Sequence, residues 1–148
     1  MPKATPHVPE LDIVPFVSVG PLRFGMNRQQ VKAQWGDPDK EEDDDIIGEI
    51  RLSWRGVVCR FEPRALKSVA ISSPVRVTAL GIDIFAQKNA LAALSKLDPD
   101  TEDGGSYANF PKLGICLGGF GKRRIREGKV VFAYDRSKRE FFGHLLHV

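Results

Sequence analysis

The chain has 148 residues, of which 42% are hydrophobic and 28% are charged. This length and composition are typical of one globular domain and exclude a disordered chain. The net charge of +3 is divided unequally: residues 1–74 contain ten Lys/Arg and eleven Asp/Glu, and residues 75–148 contain twelve and eight. So mild an excess of positive charge does not by itself indicate a nucleic-acid-binding protein.

The number of cysteines and the short length of the apolar runs indicate the cellular compartment of the protein. Cys59 and Cys116 are too few for a disulfide framework and lie in apolar runs, which predicts buried, reduced thiols. The N-terminus lacks the continuous apolar stretch of a signal peptide. No run approaches the roughly 18 apolar residues of a membrane span. We therefore expect a cytoplasmic protein that does not contact a membrane.

The first half of the chain predicts one helix and three strands. Residues 1–12 contain three prolines and are interpreted as an extended arm. Asn27 and Gln30 have the spacing of a capping box, which predicts a helix over residues 27–35 that ends at Gly36. The acidic run of residues 37–45 is predicted to be a loop. Alternating apolar residues then predict strands over 49–55 and 57–61, and the segment 66–72 after the turn at 62–64 is predicted to be a third strand.

The second half predicts the same order of elements. Residues 86–97 have a helical pattern, with Leu91, Leu94 and Leu97 on the expected inner side. Strands are predicted over 106–110, 113–117 and 129–134. An offset of 61 residues places Gly81–Phe85 on Gly20–Phe24 and Asp98–Asp100 on Asp37–Asp39.

This correspondence predicts an internal duplication. We expect an α+β fold with two tandem repeats, each a helix followed by an antiparallel meander, and with the helices on one face of the sheet. The repeats would comprise residues 13–74 and 75–148 and would form one compact unit.

Residues 25–38 contain the pattern G-M-x-x-x-x-V-x-x-x-x-G-x-P, through Gly25, Met26, Val31, Gly36 and Pro38. This segment resembles the signature of the small BamE/SmpA-like fold. The resemblance implies a short helix packed on an antiparallel meander. Two relatives of that fold, an outer-membrane assembly lipoprotein and the β-lactamase inhibitor protein, are binding proteins. The latter looks like a tandem duplication of a similar unit and grips an enzyme with a concave sheet. The chain is also similar in general pattern to presumed bacterial toxin-immunity proteins.

The sequence predicts no catalytic site, no cofactor and no metal site. His7, His144 and His147 all lie near the chain ends, whereas a catalytic base needs a held position. No serine-nucleophile or zinc-protease motif is present. The glycine-rich segment 118–123 lacks the Ser or Thr, and the following helix, that a phosphate-binding loop requires. An enzyme with unrecognised chemistry remains a third hypothesis.

The leading hypothesis is a non-enzymatic protein-binding module, most concretely an immunity protein or inhibitor that occludes a toxin or enzyme. The candidate contacts are an acidic loop that would face a basic partner and Trp54 as an aromatic anchor, with a core position as the alternative for Trp54. A solvated loop is the alternative for the acidic run. The loop residues are Glu41, Glu42, Asp43, Asp44 and Asp45.

The alternative hypothesis is a protein that binds nucleic acid or another anion through a basic hairpin over residues 122–129. Cations in this segment could contact phosphates, or they could simply form a solvated hairpin tip. They are Lys122, Arg123, Arg124, Arg126 and Lys129.

Overall fold

Strands dominate this protein. The computed structural model describes residues 10–62, 64–126 and 128–144, of which 40% lie in strands and 17% in helices. The strands are β1 (Glu10–Val14), β2 (Ser18–Val19), β3 (Leu22–Arg23), β4 (Lys40–Asp44), β5 (Glu49–Trp54), β6 (Val57–Phe61), β7 (Leu66–Ser72), β8 (Arg76–Ala79), β9 (Ile82–Asp83), β10 (Glu102–Asp103), β11 (Tyr107–Phe110), β12 (Ile115–Gly118) and β13 (Val130–Tyr134). The helices are α1 (Arg28–Trp35), α2 (Ala90–Ser95) and α3 (Arg139–His144), with a 3-10 turn at Arg136–Lys138.

The described strands form two sheets. The larger sheet has eight antiparallel strands in the order β10-β11-β12-β13-β7-β6-β5-β4. Its centre is the pairing of β7 with β13, in which Ile71 lies opposite Val131 and Val69 opposite Ala133. The smaller sheet has five strands in the order β3-β2-β1-β8-β9, and its central pair, β1 with β8, is parallel.

The predicted fold class, two tandem repeats of a helix and a meander, is therefore wrong. Five of the strands form a second sheet that the repeat pattern did not predict. The centre of that sheet pairs Leu11 with Val77, two residues that are far apart in the sequence, so no local pattern reports it. Residues 1–9 of the predicted arm lie outside the described residues, and Glu10–Asp12 begin β1. The division into segments 13–74 and 75–148 stays a prediction.

The core lies between one face of the large sheet, the small sheet, and the helices α1 and α2. Alternate residues of the central strands point into it, among them Cys59, Val69 and Val131, each fully buried. The small sheet contributes Leu11, Ile13, Val19, Leu22 and Val77 to the same cluster. We call this side of the large sheet its inner face and the opposite side its outer face.

Helix α1 confirms the helix predicted at residues 27–35. The Asn27 side chain accepts a hydrogen bond from the Gln30 amide at 2.8 Å, and the Gln30 side chain accepts one from the Asn27 amide at 2.8 Å. This reciprocal pair satisfies two amides that have no partner within the helix. Val31 and Trp35 are the buried residues of the helix and join the core.

Helix α2 is shorter than the predicted helix Ala86–Leu97. It begins at Ala90 because the Asn89 side chain accepts a hydrogen bond from the Ala92 amide and caps the helix there. Asn89 has a left-handed backbone, with φ of 58°, so a helix cannot run through it. Leu97 follows the helix and is 47% exposed, which corrects its predicted inward position.

Helix α3 packs on the outer face, so the prediction that all helices lie on one face is also wrong. The ring of Phe142 stacks on that of Tyr134, with centroids 4.5 Å apart, beside the buried Cys116. Tyr134 is paired with Ser68, next to inward-facing Ala133 and Val69, so its side chain points to the outer face. The hydroxyl of Tyr134 also donates to the Asn109 side chain at 2.6 Å.

Replacing Asn27 with alanine tests the cap of α1. Because the Gln30 amide loses its acceptor, we expect Asn27→Ala to reduce the free energy of unfolding by about 1 kcal/mol. The change is measured by urea denaturation, with Gln29→Ala as the control in the same helix. If the two variants are equally stable, the capping box does not contribute as described.

Candidate binding surface on the outer sheet face

The outer face of the large sheet carries a groove along β7. The β7 residues that point to this face are small: Ser68, Ala70 and Ser72. The neighbouring strands place larger side chains beside them, Arg60 on β6 and Phe132 on β13. A row of small side chains between larger ones leaves a trough wherever no neighbouring side chain fills the missing volume.

Two adjoining cavities, of about 430 and 240 Å³, occupy this trough. Both are lined by Arg60, Tyr107 and Phe132, so they are parts of one groove. Helix α3 and the turn before it form one end, through Lys138, Phe141 and Phe142, and Ile125 forms the other. We call the whole feature the outer groove.

The turn between β4 and β5 carries two exposed isoleucines, of which Ile47 lines one end of the outer groove. Ile46 is 96% exposed and Ile47 is 62% exposed. The Asp44 carboxylate accepts hydrogen bonds from their amides, at 3.1 and 3.4 Å, and so holds the turn. Ile47 lines the same cavity as Phe141, which is 51% exposed. We call Ile46, Ile47 and Phe141 the apolar tip.

Charged groups in the groove are mostly paired. Glu49 lies between Arg51 and Arg60, with nitrogen–oxygen distances of 3.3 and 3.5 Å. Lys138 pairs with Glu62 at 2.8 Å. The outer groove is thus a mixed surface of apolar side chains and compensated charges.

The acidic residues Glu41–Asp45 do not form the predicted loop, because Lys40–Asp44 is the edge strand β4. Side chains alternate along a strand, so Glu41 and Asp43 lie on the side of α1 and Glu42 and Asp44 on the other. Glu41 contacts Arg28 at 2.6 Å and Lys32 at 2.8 Å.

The remaining carboxylates of the run differ in their contacts. Asp43 also contacts Arg28, at 3.3 Å. Glu42 contacts Lys40 and Arg51 at 3.6 and 3.7 Å, and Asp45 is exposed. The carboxylates of the run therefore make separate contacts. Only Asp44 and Asp45 lie at the turn that carries Ile46 and Ile47.

Trp54 lies in the core. It is 4% exposed on the inner face, and its ring meets that of Trp35 edge to face with centroids 5.3 Å apart. Its indole nitrogen has no hydrogen-bond partner among the described residues. The structure therefore places Trp54 on the opposite side of the large sheet from the outer groove.

The loop between β12 and β13, which we call the basic loop, contains the five candidate anion-binding residues Lys122, Arg123, Arg124, Arg126 and Lys129. Their side chains are exposed, and none of them forms an ion pair with a described carboxylate. Glu127 of the same loop lies outside the described residues. Ile125 of this loop closes one end of the outer groove.

Both cysteine thiols are buried in the described part of the chain. Burial raises the pKa of Cys116 to about 12 and raises the pKa of Cys59 as well, so both thiols are protonated at neutral pH. No group of three metal-ligating side chains occurs among residues 10–62, 64–126 and 128–144. His7 and His147 lie outside the described residues, and His144 ends α3.

None of the helices in the described residues is long and apolar enough to cross a membrane.

Sequence reasoning missed the residues that build the outer groove. Ser68 and Ala70 lie in a predicted strand, but their small side chains form a groove only because the larger side chains of β13 lie beside them. The apolar tip does have a signal in the sequence, in the position of its two isoleucines. Ile46 and Ile47 follow five acidic residues and precede Gly48, a position that predicts a turn in which large apolar side chains have no core to enter.

The contacts of Glu41 predict a pH-dependent contribution to stability. Hydrogen bonding to Lys32 lowers the pKa of Glu41 below its ordinary 4.5, and Arg28 adds to this effect while partial burial opposes it. A lowered folded-state pKa stabilises the protein above the unfolded value and loses that contribution as the pH falls through the folded value. We expect Glu41→Gln to cost less than about 1 kcal/mol near pH 7, because the pair is partly exposed.

The difference between Glu41→Gln and the wild type should narrow progressively below pH 4.5 in urea unfolding. Asp45→Asn, at an exposed neighbour, is the control. A difference that stays constant between pH 7 and pH 3 would contradict the assigned ion pairs.

Comparison with known proteins adds no relative to this description. No protein-family model matches the chain, and no curated protein sequence and no solved structure matches it.

Proposed function

We propose that the chain is a non-enzymatic protein-binding module, most concretely an immunity protein or inhibitor that occludes a toxin or enzyme. The observation that carries this proposal is the apolar tip at the end of the outer groove. Large apolar side chains that are grouped and exposed beside a concave surface are typical of interaction sites.

The turn that holds the tip supports a binding role. Asp44 fixes the backbone of Ile46 and Ile47 through two hydrogen bonds. A segment that is already ordered loses little conformational entropy when a partner covers it, so more of the contact energy appears as affinity. Neither isoleucine contributes to the buried core of the chain.

The outer groove supports occlusion as the mechanism. Its two cavities are large enough to receive side chains of a protruding loop, while the apolar tip contacts the surface beside that loop. Phe132 and Tyr107 would provide aromatic contact in the groove, as anchors in binding surfaces do. A partner that inserts a loop of its own active site here would be blocked from its substrate.

The charges near the tip favour a basic partner surface. Asp45 is exposed, and Asp44 lies in the same turn. Carboxylates that form no ion pair with a described cation chiefly raise the rate of encounter with a basic surface. The resemblance of residues 25–38 to the BamE/SmpA-like signature, a fold with binding proteins among its relatives, also favours a binding role. The compartment we infer is the cytoplasm, and the two unpaired cysteines support it.

Site-specific photo-crosslinking tests this function. A photoreactive amino acid is placed at position 47 and, as the control, at position 80, where Leu80 is 50% exposed on the small sheet. The proteins are expressed in the organism that encodes the chain. We expect one defined protein to be crosslinked from position 47 and not from position 80. Equal crosslinking patterns at the two positions would contradict the proposed surface.

Charge substitution at the tip then tests the contact with the captured protein. Ile47→Asp should weaken its binding at least tenfold, because a carboxylate would be desolvated at the interface. Leu80→Asp, at an apolar position that is also at least half exposed, should leave binding unchanged. Isothermal titration measures both. Full binding by Ile47→Asp would exclude the tip from the interface.

A further inference from the structure

A third cavity adjoins the outer groove, with which it shares Ser72. It is an open cleft of about 800 Å³ between the turn after β7, the end of β9 and the base of the basic loop. Pro74, Val75 and Phe85 form apolar walls, and the charged groups at its edge are Lys129 and the ion pair of Arg76 with Asp83. We call it the basic cleft. Apolar walls with a few convergent charges are the usual composition of a ligand site.

The two cations of the basic cleft are held by different contacts. Arg76 binds Asp83 through its Nε, at 2.6 Å, and its side chain is still 61% exposed. The two terminal nitrogens of its guanidinium have no hydrogen-bond acceptor among the described residues. Lys129 lies over the ring of Phe120, with its Nζ 5.1 Å from the centroid, and Phe120 packs on Phe85 at 5.7 Å. The position of Lys129 is therefore set by the aromatic pair behind it.

Positive charge continues from Lys129 along the basic loop. Arg126, Arg124, Arg123 and Lys122 are exposed, and no described carboxylate pairs with them. The contrast with β4 is informative, because Glu41 there contacts both Arg28 and Lys32. Cations without partners attract a polyanion more strongly than paired ones do.

From this arrangement we infer that the basic cleft and the basic loop bind single-stranded nucleic acid. A base, whose two faces are apolar, enters the cleft between Pro74 and Phe85, and the phosphates beside it meet Lys129 and the loop arginines. Stacking on an apolar wall and phosphate contact in a basic groove are how proteins bind single strands without sequence preference. A paired base cannot enter the cleft, so the site discriminates against duplex.

This inference does not rest on the proposed protein-binding function, because the residues assigned to the base and to the phosphates neither belong to the apolar tip nor line the outer groove. The two sites are neighbours, since Ser72 lines both and Ile125 of the basic loop closes the outer groove. Loss of one activity would leave the other in place. A purely acidic peptide such as polyglutamate would use the loop cations but has no aromatic ring to stack in the cleft.

Fluorescence anisotropy with a labelled 15-nucleotide thymidine strand tests the inference with the full-length protein. The affinity should fall with salt, with a log–log slope of about −0.7 for each phosphate contact. Replacing two loop cations in the double variant Arg123→Gln, Arg124→Gln should weaken binding at least tenfold at low salt. The same variant should make the slope shallower by about 1.4. The control double variant Arg64→Gln, Lys96→Gln removes two exposed cations elsewhere and should leave both quantities nearly unchanged.

The cleft is tested separately with Ala86→Trp, which fills it from an exposed position. This variant should weaken binding several-fold and leave the salt slope unchanged, because it removes space rather than charge. Circular dichroism checks that each variant is folded.

Three results would overturn the inference: equal affinity for a thymidine strand and a duplex, equal competition by polyglutamate, or unaltered binding by Ala86→Trp. Absence of binding at 50 mM salt would also end it.

Discussion

The pairing of β7 with β13 is the interaction on which the rest of this structure depends. It joins the strands β4–β7 to the strands β10–β13 and makes one eight-stranded sheet from two short ones. Because side chains alternate along both strands, the same pairing builds two different surfaces. Val69 and Ala133 lie in the core, while Ala70 and Phe132 form the floor and a side of the outer groove. Any shift of this register by one residue would exchange the two surfaces.

The parts of the fold that could be predicted from the sequence are those with a local signal. Helix α1 has a capping pair at Asn27 and Gln30, β5 alternates apolar and polar residues, and β6 and β7 are short apolar runs between turns. Strand β4 could not be predicted, because every residue from Lys40 to Asp44 is charged and an edge strand with no apolar face has no period. The small sheet depends on the parallel pairing of β1 and β8, which unites segments over 60 residues apart.

The candidate site was predictable only in part, for a similar reason. The basic loop residues are exposed, and the loop borders two cavities, but neither cavity has a signature in the sequence. Each is made where separate segments meet: Ser72 near Val130 and Ile125 in one, and Pro74 near Phe85 and Gly128 in the other. Trp54 shows the converse, since a large aromatic residue on an alternating strand does not reveal which side of the sheet is covered. Its contact with Trp35 decides that question.

The two edge strands of the large sheet, β4 and β10, are both acidic, and this affects how copies of the chain can pair. Four of the five residues of β4 are acidic, and both residues of β10, at the opposite edge, are acidic as well. Exposed sheet edges present free backbone groups on which another copy's strand could add, and charge at such an edge discourages it. In this chain, edge-to-edge stacking would bring carboxylates against carboxylates whichever ends met. The sheet thus resists growth into a fibril at high concentration, even though apolar side chains remain exposed on the turn beside it.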